Sequence, residues 1–268
     1  MTTAAARDAY PTRAGGPLRP VERAHPVVHP GVPGPLSAED LGRFDRDGYL
    51  VVDRLVGPAA ADRLRDEAER LATDPEVARS GRVVREPEGD AVRSVFEVHL
   101  LSPLLGSLVA DRRLVGMAEQ LLGSRVYVHQ SRVNCKPAFC GDGFAWHSDF
   151  ETWHAEDGMP TPRAVSLSLA LTPNYVHNGS LMLVAGSHRT FVPTADETPE
   201  DHYRRSLRRQ EVGVPDGDAL TALVERSGGI AVVTGAPGSA VLFDSNAMHG
   251  STENITPFPR TNLFAVYN

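Results

Sequence analysis

A chain of 268 residues, 41% of them apolar, is long enough for one large domain with a sizeable core. Its formal net charge of -7 leaves no basic stripe to neutralise phosphates, so no nucleic-acid partner is expected. There is no apolar run of about 18 residues, and the Pro-, Gly- and Arg-rich start lacks an apolar signal core; a cytoplasmic protein that does not engage a membrane follows.

Residues 1–36 read as an irregular arm, with residues 37–268 as a single domain behind it. Seven prolines between Pro11 and Pro35 keep the arm from forming a long helix or a central strand. Ser37 with Asp40 three residues on reads as a capping box. Leu36 and Leu41 are placed as its hydrophobic staple, and Gly48 as the stop. Tyr49–Val52 reads as a short strand. Pro58 opens a second helix with Leu64, Ala68 and Leu71 on one stripe. A third helical region is expected from Pro103 to Leu122, ending at Gly123.

From Ser124 the texture changes to short alternating runs bounded by Gly, Pro and Asn. Strands are expected at Arg125–Lys136, Arg163–Thr172, Leu181–Val184, Ile230–Thr234, Ala240–Asp244 and Thr261–Tyr267. The fold class is therefore α+β: N-terminal helices buttress a double-stranded β-helix, a jelly-roll or cupin-like core. One face of the first of these strands carries Gln130, Arg132, Asn134 and Lys136. One face of the second carries Ala164, Ser166, Ser168 and Ala170. Such faces fit solvent, but small polar residues also fit a lumen that leaves room for a charged small ligand. Cys135 and Cys140 make no disulfide framework and read as free thiols packed near the barrel.

The densest signal is the run from Trp146 to His154. In an extended segment His147 and Asp149 point the same way. His249, from a later strand, would complete two imidazoles and one carboxylate on one face of a metal. That is the ligand set of non-heme Fe(II) oxygenases, with positions open for a cosubstrate and dioxygen. Arg260, eleven residues on, is the cation that the distal carboxylate of 2-oxoglutarate needs, because its planar fork matches a carboxylate. Glu151 reads either as an orienter of a ligand imidazole or as half of a surface ion pair. Trp146 and His154 read as structural. The basic run Arg204–Arg209 reads as a solvated helix face, or as a lid within 195–215.

The segment from Phe144 to Pro160 resembles the signature of ectoine hydroxylases, members of the phytanoyl-CoA dioxygenase-like group of Fe(II)/2-oxoglutarate enzymes. The resemblance continues in Asn178–Met182, Gly186–His188, Thr198–Tyr203, Met248–Ser251, Asn254–Pro257 and Val266–Asn268, and reaches Tyr10–Arg13 in the arm. Ala185, Ser245 and Pro162 depart from its pattern. By position, the resemblance implies that His147, Asp149 and His249 bind iron and that Arg260 holds 2-oxoglutarate. Phe144, Asn134, Lys136 and Ser166 would line the cosubstrate pocket, and Gln130, Trp153 and Phe264 would face ectoine. Arg132 is a further candidate for the ectoine carboxylate, and an aromatic face suits the delocalised amidinium. The implied reaction hydroxylates ectoine to 5-hydroxyectoine, consuming 2-oxoglutarate and dioxygen and releasing succinate and carbon dioxide. A homodimer is implied as well. Two other readings stand beside it: the same reaction on another small cyclic amino acid such as proline, and a non-catalytic metal- or solute-binding barrel.

Overall fold

The computed structural model describes residues 8–16, 19–195, 197–199 and 210–268. The expected run Arg204–Arg209, and most of the expected lid, lie outside the described residues. The arm contributes one two-residue strand, β1 (Val21–Glu22), which pairs with β9 (Thr190–Phe191). Helix α1 (Ala38–Asp47) begins with the full Ser37/Asp40 capping box, and Gly48, at φ 78°, closes it in the left-handed region. Next come β2 (Tyr49–Val52), α2 (Pro58–Thr73) and α3 (Pro75–Arg79), with Leu64, Ala68 and Leu71 buried as the stripe predicts.

Strands β3 (Val83–Arg85) and β4 (Val92–Phe96) follow, and sequence reasoning missed both. After the four-residue α4 (Val98–Leu101), the single helix expected over 103–122 is two helices, α5 (Pro103–Val109) and α6 (Arg112–Leu122). The break falls at Asp111, whose side chain accepts the Arg113 amide at 2.8 Å and starts a new helix instead of continuing the old one.

The second half supplies β5 (Val128–Lys136), β6 (Phe144–His147), α7 (Asp149–Asp157), β7 (Val165–Ala170), β8 (Leu181–Val184), α8 (Gly217–Arg226), β10 (Ile230–Val232), β11 (Ala240–Asp244), β12 (His249–Ser251) and β13 (Arg260–Tyr267). Two sheets face one another as a double-stranded β-helix. The larger runs β2-β11-β7-β13-β5-β4-β3 and the smaller β10-β8-β12-β6.

Alternation along the large sheet sorts its two faces. Val133, Leu167, Leu169, Leu263 and Ala265 join one apolar cluster with α1, α2, α5 and α6. Burying each such leucine stabilises the fold by roughly 1.5–3 kcal/mol. The opposite face, with Asn134, Ser166, Ser168 and Asn262, is also buried, so it lines the lumen rather than meeting solvent. Cys135 and Cys140 are free; burial pushes the Cys135 thiol up to about 11, whereas Cys140 is exposed instead of packed. Among the described residues no helix is long and apolar enough to cross a membrane.

Candidate active site

His147 ends β6 and His249 begins β12, and the two are directly paired across that ladder, with ring centroids 4.1 Å apart. Asp149 does not continue the strand, as the expected extended segment would have it. Ser148 caps α7, its Oγ accepting the Glu151 amide at 3.4 Å, and Asp149 is the first residue of that helix. The Ser148–Glu151 spacing is itself a capping-box signal, and it marks this helix in the sequence. The turn brings Asp149 Oδ1 to 3.7 Å from His147 Nε2 and 3.8 Å from His249 Nε2. One ligand atom from each of the three residues lies within 4.8 Å of the others.

The surroundings prepare all three as ligands. His147 Nδ1 donates to the Ala145 carbonyl at 2.7 Å, and His249 Nδ1 to the Ala247 carbonyl at 3.0 Å. Each ring is thereby fixed with the Nε2 lone pair turned to the centre. Burial, with His249 adjacent, pushes the His147 imidazole down to about 3, so it stands neutral at physiological pH. Asp149 Oδ2 accepts from Ser166 Oγ at 3.2 Å, leaving Oδ1 for a metal. Neutral imidazole nitrogens and one carboxylate oxygen suit a divalent transition metal, and the residues present fit ferrous iron. Glu151 orients neither imidazole. It is buried on the back of α7, bound to Thr12, Arg13 and Thr194.

Two cavities flank the triad, and both touch His147, Arg132 and Phe144. The inner one, about 20 Å³, is lined by Asn134, Leu181, His249, Arg260 and Phe264. Arg260 is 2% exposed, its Nη2 donates to Asn134 Oδ1 at 2.6 Å, and its Nε has no partner. Burial lowers its pKa to about 10, with no carboxylate paired to it among the described residues. A buried guanidinium with an idle donor, on the wall of a cavity that reaches both histidines, is made for a dianion that spans from metal to fork.

The outer cavity, about 100 Å³, is lined by Gln130, Asp149, Thr152 and Trp153, with Ser94, Phe96, Gln210 and Val212. Thr152, Ser94 and Phe96 were not expected, and Ser94 and Phe96 are carried there by the missed strand β4; Gln210 and Val212 fall within 195–215, the segment in which a lid is the alternative reading. Arg132, with an unpartnered Nε, lies 5.1 Å over the Phe264 ring and 5.9 Å from that of Phe96. Lys136 is fully buried beside Arg260 in register, but it lines neither cavity. Its Nζ donates to the carbonyls of Asp142, at 2.8 Å, and Thr252. Phe144 is sandwiched from behind by Arg93, whose guanidinium carbon is 3.8 Å from the ring centroid. Trp146 packs with Val184 and Met248, and His154 bridges Met159 and Asp8.

The chain matches the phytanoyl-CoA dioxygenase family model over residues 44–262. It is 56% identical to the ectoine dioxygenase of Nocardia farcinica over 97% of this chain and 86% of that relative. It is 51% identical to the ectoine dioxygenase of Streptomyces coelicolor over 100% of this chain and 89% of that one. The crystal structure of EctD from S. alaskensis with 2-oxoglutarate and 5-hydroxyectoine superposes with a TM-score of 0.88 at 45% identity, covering 98% and 87% of the two chains. The iron-bound form of the same protein gives 0.87, also at 45% identity, over 98% and 88%.

Proposed function

This chain belongs to the phytanoyl-CoA dioxygenase family, and from that premise we propose that it hydroxylates ectoine to 5-hydroxyectoine with Fe(II), 2-oxoglutarate and dioxygen, releasing succinate and carbon dioxide. The observation that carries this reading is the placement of an unpaired buried Arg260 on the cavity wall that also holds His147 and His249.

His147, Asp149 and His249 hold the iron, which supplies oxidation of an unactivated C–H bond at the cost of 2-oxoglutarate and dioxygen. Arg260 receives the distal carboxylate of 2-oxoglutarate. Asn134 fixes the plane of that guanidinium through Nη2, and Phe144 walls the same cavity. Ser166 orients Asp149, and Lys136 pins the loop that presents Phe144 by holding the Asp142 carbonyl. In the outer cavity Gln130 and Arg132 receive the ectoine carboxylate; Trp153 in that cavity and Phe264, on the inner one beneath Arg132, supply aromatic walls for the amidinium. The apolar and aromatic lining excludes water from the carbon that faces the metal. The enzyme works in the cytoplasm as a homodimer, with residues 37–268 as its catalytic domain behind the arm.

The test is aerobic incubation of the protein with ectoine, Fe(II) and 2-oxoglutarate, read by mass spectrometry. One oxygen atom added to ectoine, with succinate in equal amount, is the expected result. Succinate without an oxygenated ectoine would reject the substrate, and recovery of all the 2-oxoglutarate would reject the reaction.

A further inference from the structure

The arm grips the site from behind. Arg13 and Glu151 form a two-point ion pair, Nε to Oε1 at 3.0 Å and Nη2 to Oε2 at 2.8 Å, with side chains 4% and 1% exposed. Glu151 Oε1 also accepts from Thr12 Oγ1 at 2.6 Å and Thr194 Oγ1 at 3.0 Å. Arg13 Nη1 goes on to Glu156 Oε1 at 2.5 Å and Thr198 Oγ1 at 2.9 Å. The Arg13 backbone sits at φ 52°, a conformation a non-glycine residue holds only when its surroundings insist. A buried ion pair is poor evidence of added stability, since apolar residues of similar volume often serve as well; its best use is to fix geometry.

What it fixes is the substrate wall. Glu151 lies on α7 between Asp149 and the pair Thr152–Trp153, all three of which line the outer cavity. The far side of the ion pair meets the chain before α8. A Cβ on Gly213, itself at φ +77°, would lie 2.6 Å from Glu151 Oε2 and 2.9 Å from Arg13 Nη2, so the backbone passes directly against the pair. Gln210 and Val212, just upstream, line the same cavity. Tyr10, fully buried and edge-on to Phe150 at 5.2 Å, seats the arm on α7 one residue away.

We propose that Arg13 and Glu151 are positioning residues for ectoine: their ion pair sets the stance of α7 and of residues 210–213, and hence the shape of the wall that faces the substrate. The 2-oxoglutarate end, built from β5 and β13, stands apart from this clamp. The proposal rests on the substrate reading above for its kinetic arm only.

The experiment uses full-length Arg13→Lys, Glu151→Gln and the double variant Arg13→Met/Glu151→Leu, which keeps the packing and removes the fork. Expected is a rise of about tenfold or more in KM for ectoine, since small misplacements carry large penalties, with KM for 2-oxoglutarate within about twofold of wild type. In metal-free protein, amide hydrogen exchange across residues 149–157 accelerates while that of β13 does not. Equal rises in both KM values, or exchange at 149–157 unchanged from wild type, overturn the proposal. So does a double variant with wild-type KM values, because packing alone would then suffice. If the wild type leaves ectoine unreacted, the substrate reading fails and the exchange comparison still decides the clamp.

Discussion

Asn134 and Arg260 are diagonal neighbours on β5 and β13, joined at 2.6 Å from Arg260 Nη2 to Asn134 Oδ1. The amide of Asn134 cannot turn freely, because its Nδ2 donates to the Arg93 carbonyl at 3.1 Å and to Ser94 Oγ at 3.3 Å. Strand β4 thus orients Asn134, which orients Arg260, and the cation is held in a plane with no anion among the described residues to balance it.

That imbalance gives the first prediction. In the protein without 2-oxoglutarate, Arg260→Met removes an uncompensated buried charge and leaves stability equal to wild type or higher. Wild type gains about 2.7 kcal/mol from 2-oxoglutarate at a hundredfold excess over Kd, roughly 5–10 °C in Tm; the variant gains almost nothing. Anaerobic thermal melts with Fe(II), with and without 2-oxoglutarate, read both effects. A variant still stabilised by 2-oxoglutarate would remove Arg260 from the cosubstrate site.

Ser166 supplies the second. Its hydroxyl is the side-chain donor that holds Asp149 Oδ2 at 3.2 Å. Ser166→Ala frees the carboxylate to rotate, and loss of such outer contacts weakens metal binding about 10–100-fold. Titration of Fe(II) against intrinsic tryptophan fluorescence measures this directly. Unchanged affinity would show that the turn at Ser148 alone fixes Asp149.

The residues that sequence reasoning located most easily are those whose signal is local. The Ser37/Asp40 box and Gly48 mark α1 because capping is decided within four residues. The alternating Leu and Ser of β7 announce two different faces, and the structure buries one against helices and the other in the lumen. His147, Asp149 and His249 stood out by chemistry, although the strand-to-helix turn that joins the first two was read as an extended strand. What stayed hidden depends on distant partners. Ser94 and Phe96 reach the cavity only because β4 adds to the edge of β5. Glu151 reads either as an orienter of a ligand imidazole or as half of a surface ion pair; the ion pair is there, but buried, because a helix turns Glu151 onto the arm, some 138 positions earlier in the chain. No periodicity within either segment encodes that meeting.

Arg132 sets the third prediction. Its guanidinium lies over Phe264 at 5.1 Å, with Nε free, on the wall shared by both cavities. Arg132→Lys keeps the charge but loses the planar fork and the stack. One hydrogen bond to a charged group contributes about 1.5–3 kcal/mol, so KM for ectoine rises roughly 10–100-fold. Steady-state kinetics at saturating 2-oxoglutarate reports this, and a wild-type KM would place the ectoine carboxylate elsewhere.

Lys136 gives the last. Burial, with Arg260 and Arg93 nearby, pushes its ammonium down to about 6 from the ordinary 10.5. Between those values the unfolded chain holds a proton that the folded protein has shed, so stability rises with pH across that window. The contribution is lost as pH falls through 6. The slope from this one group is at most about 1.4 kcal/mol per pH unit. Cys135 acts with the opposite sign, but only above about 9, because its raised thiol keeps a proton that the unfolded chain releases. His147 has the same sign, since its folded value is depressed from the ordinary 6.5, but its slope ends about one pH unit above that value. The clean interval is therefore about pH 7.5–8.5, above the unfolded histidines and below the cysteine. Urea midpoints of wild type should climb across it, and those of Lys136→Met should climb less. Parallel curves would mean that the Asp142 and Thr252 carbonyls and the Phe144 ring, 5.4 Å from Nζ, keep the ammonium charged in the folded protein.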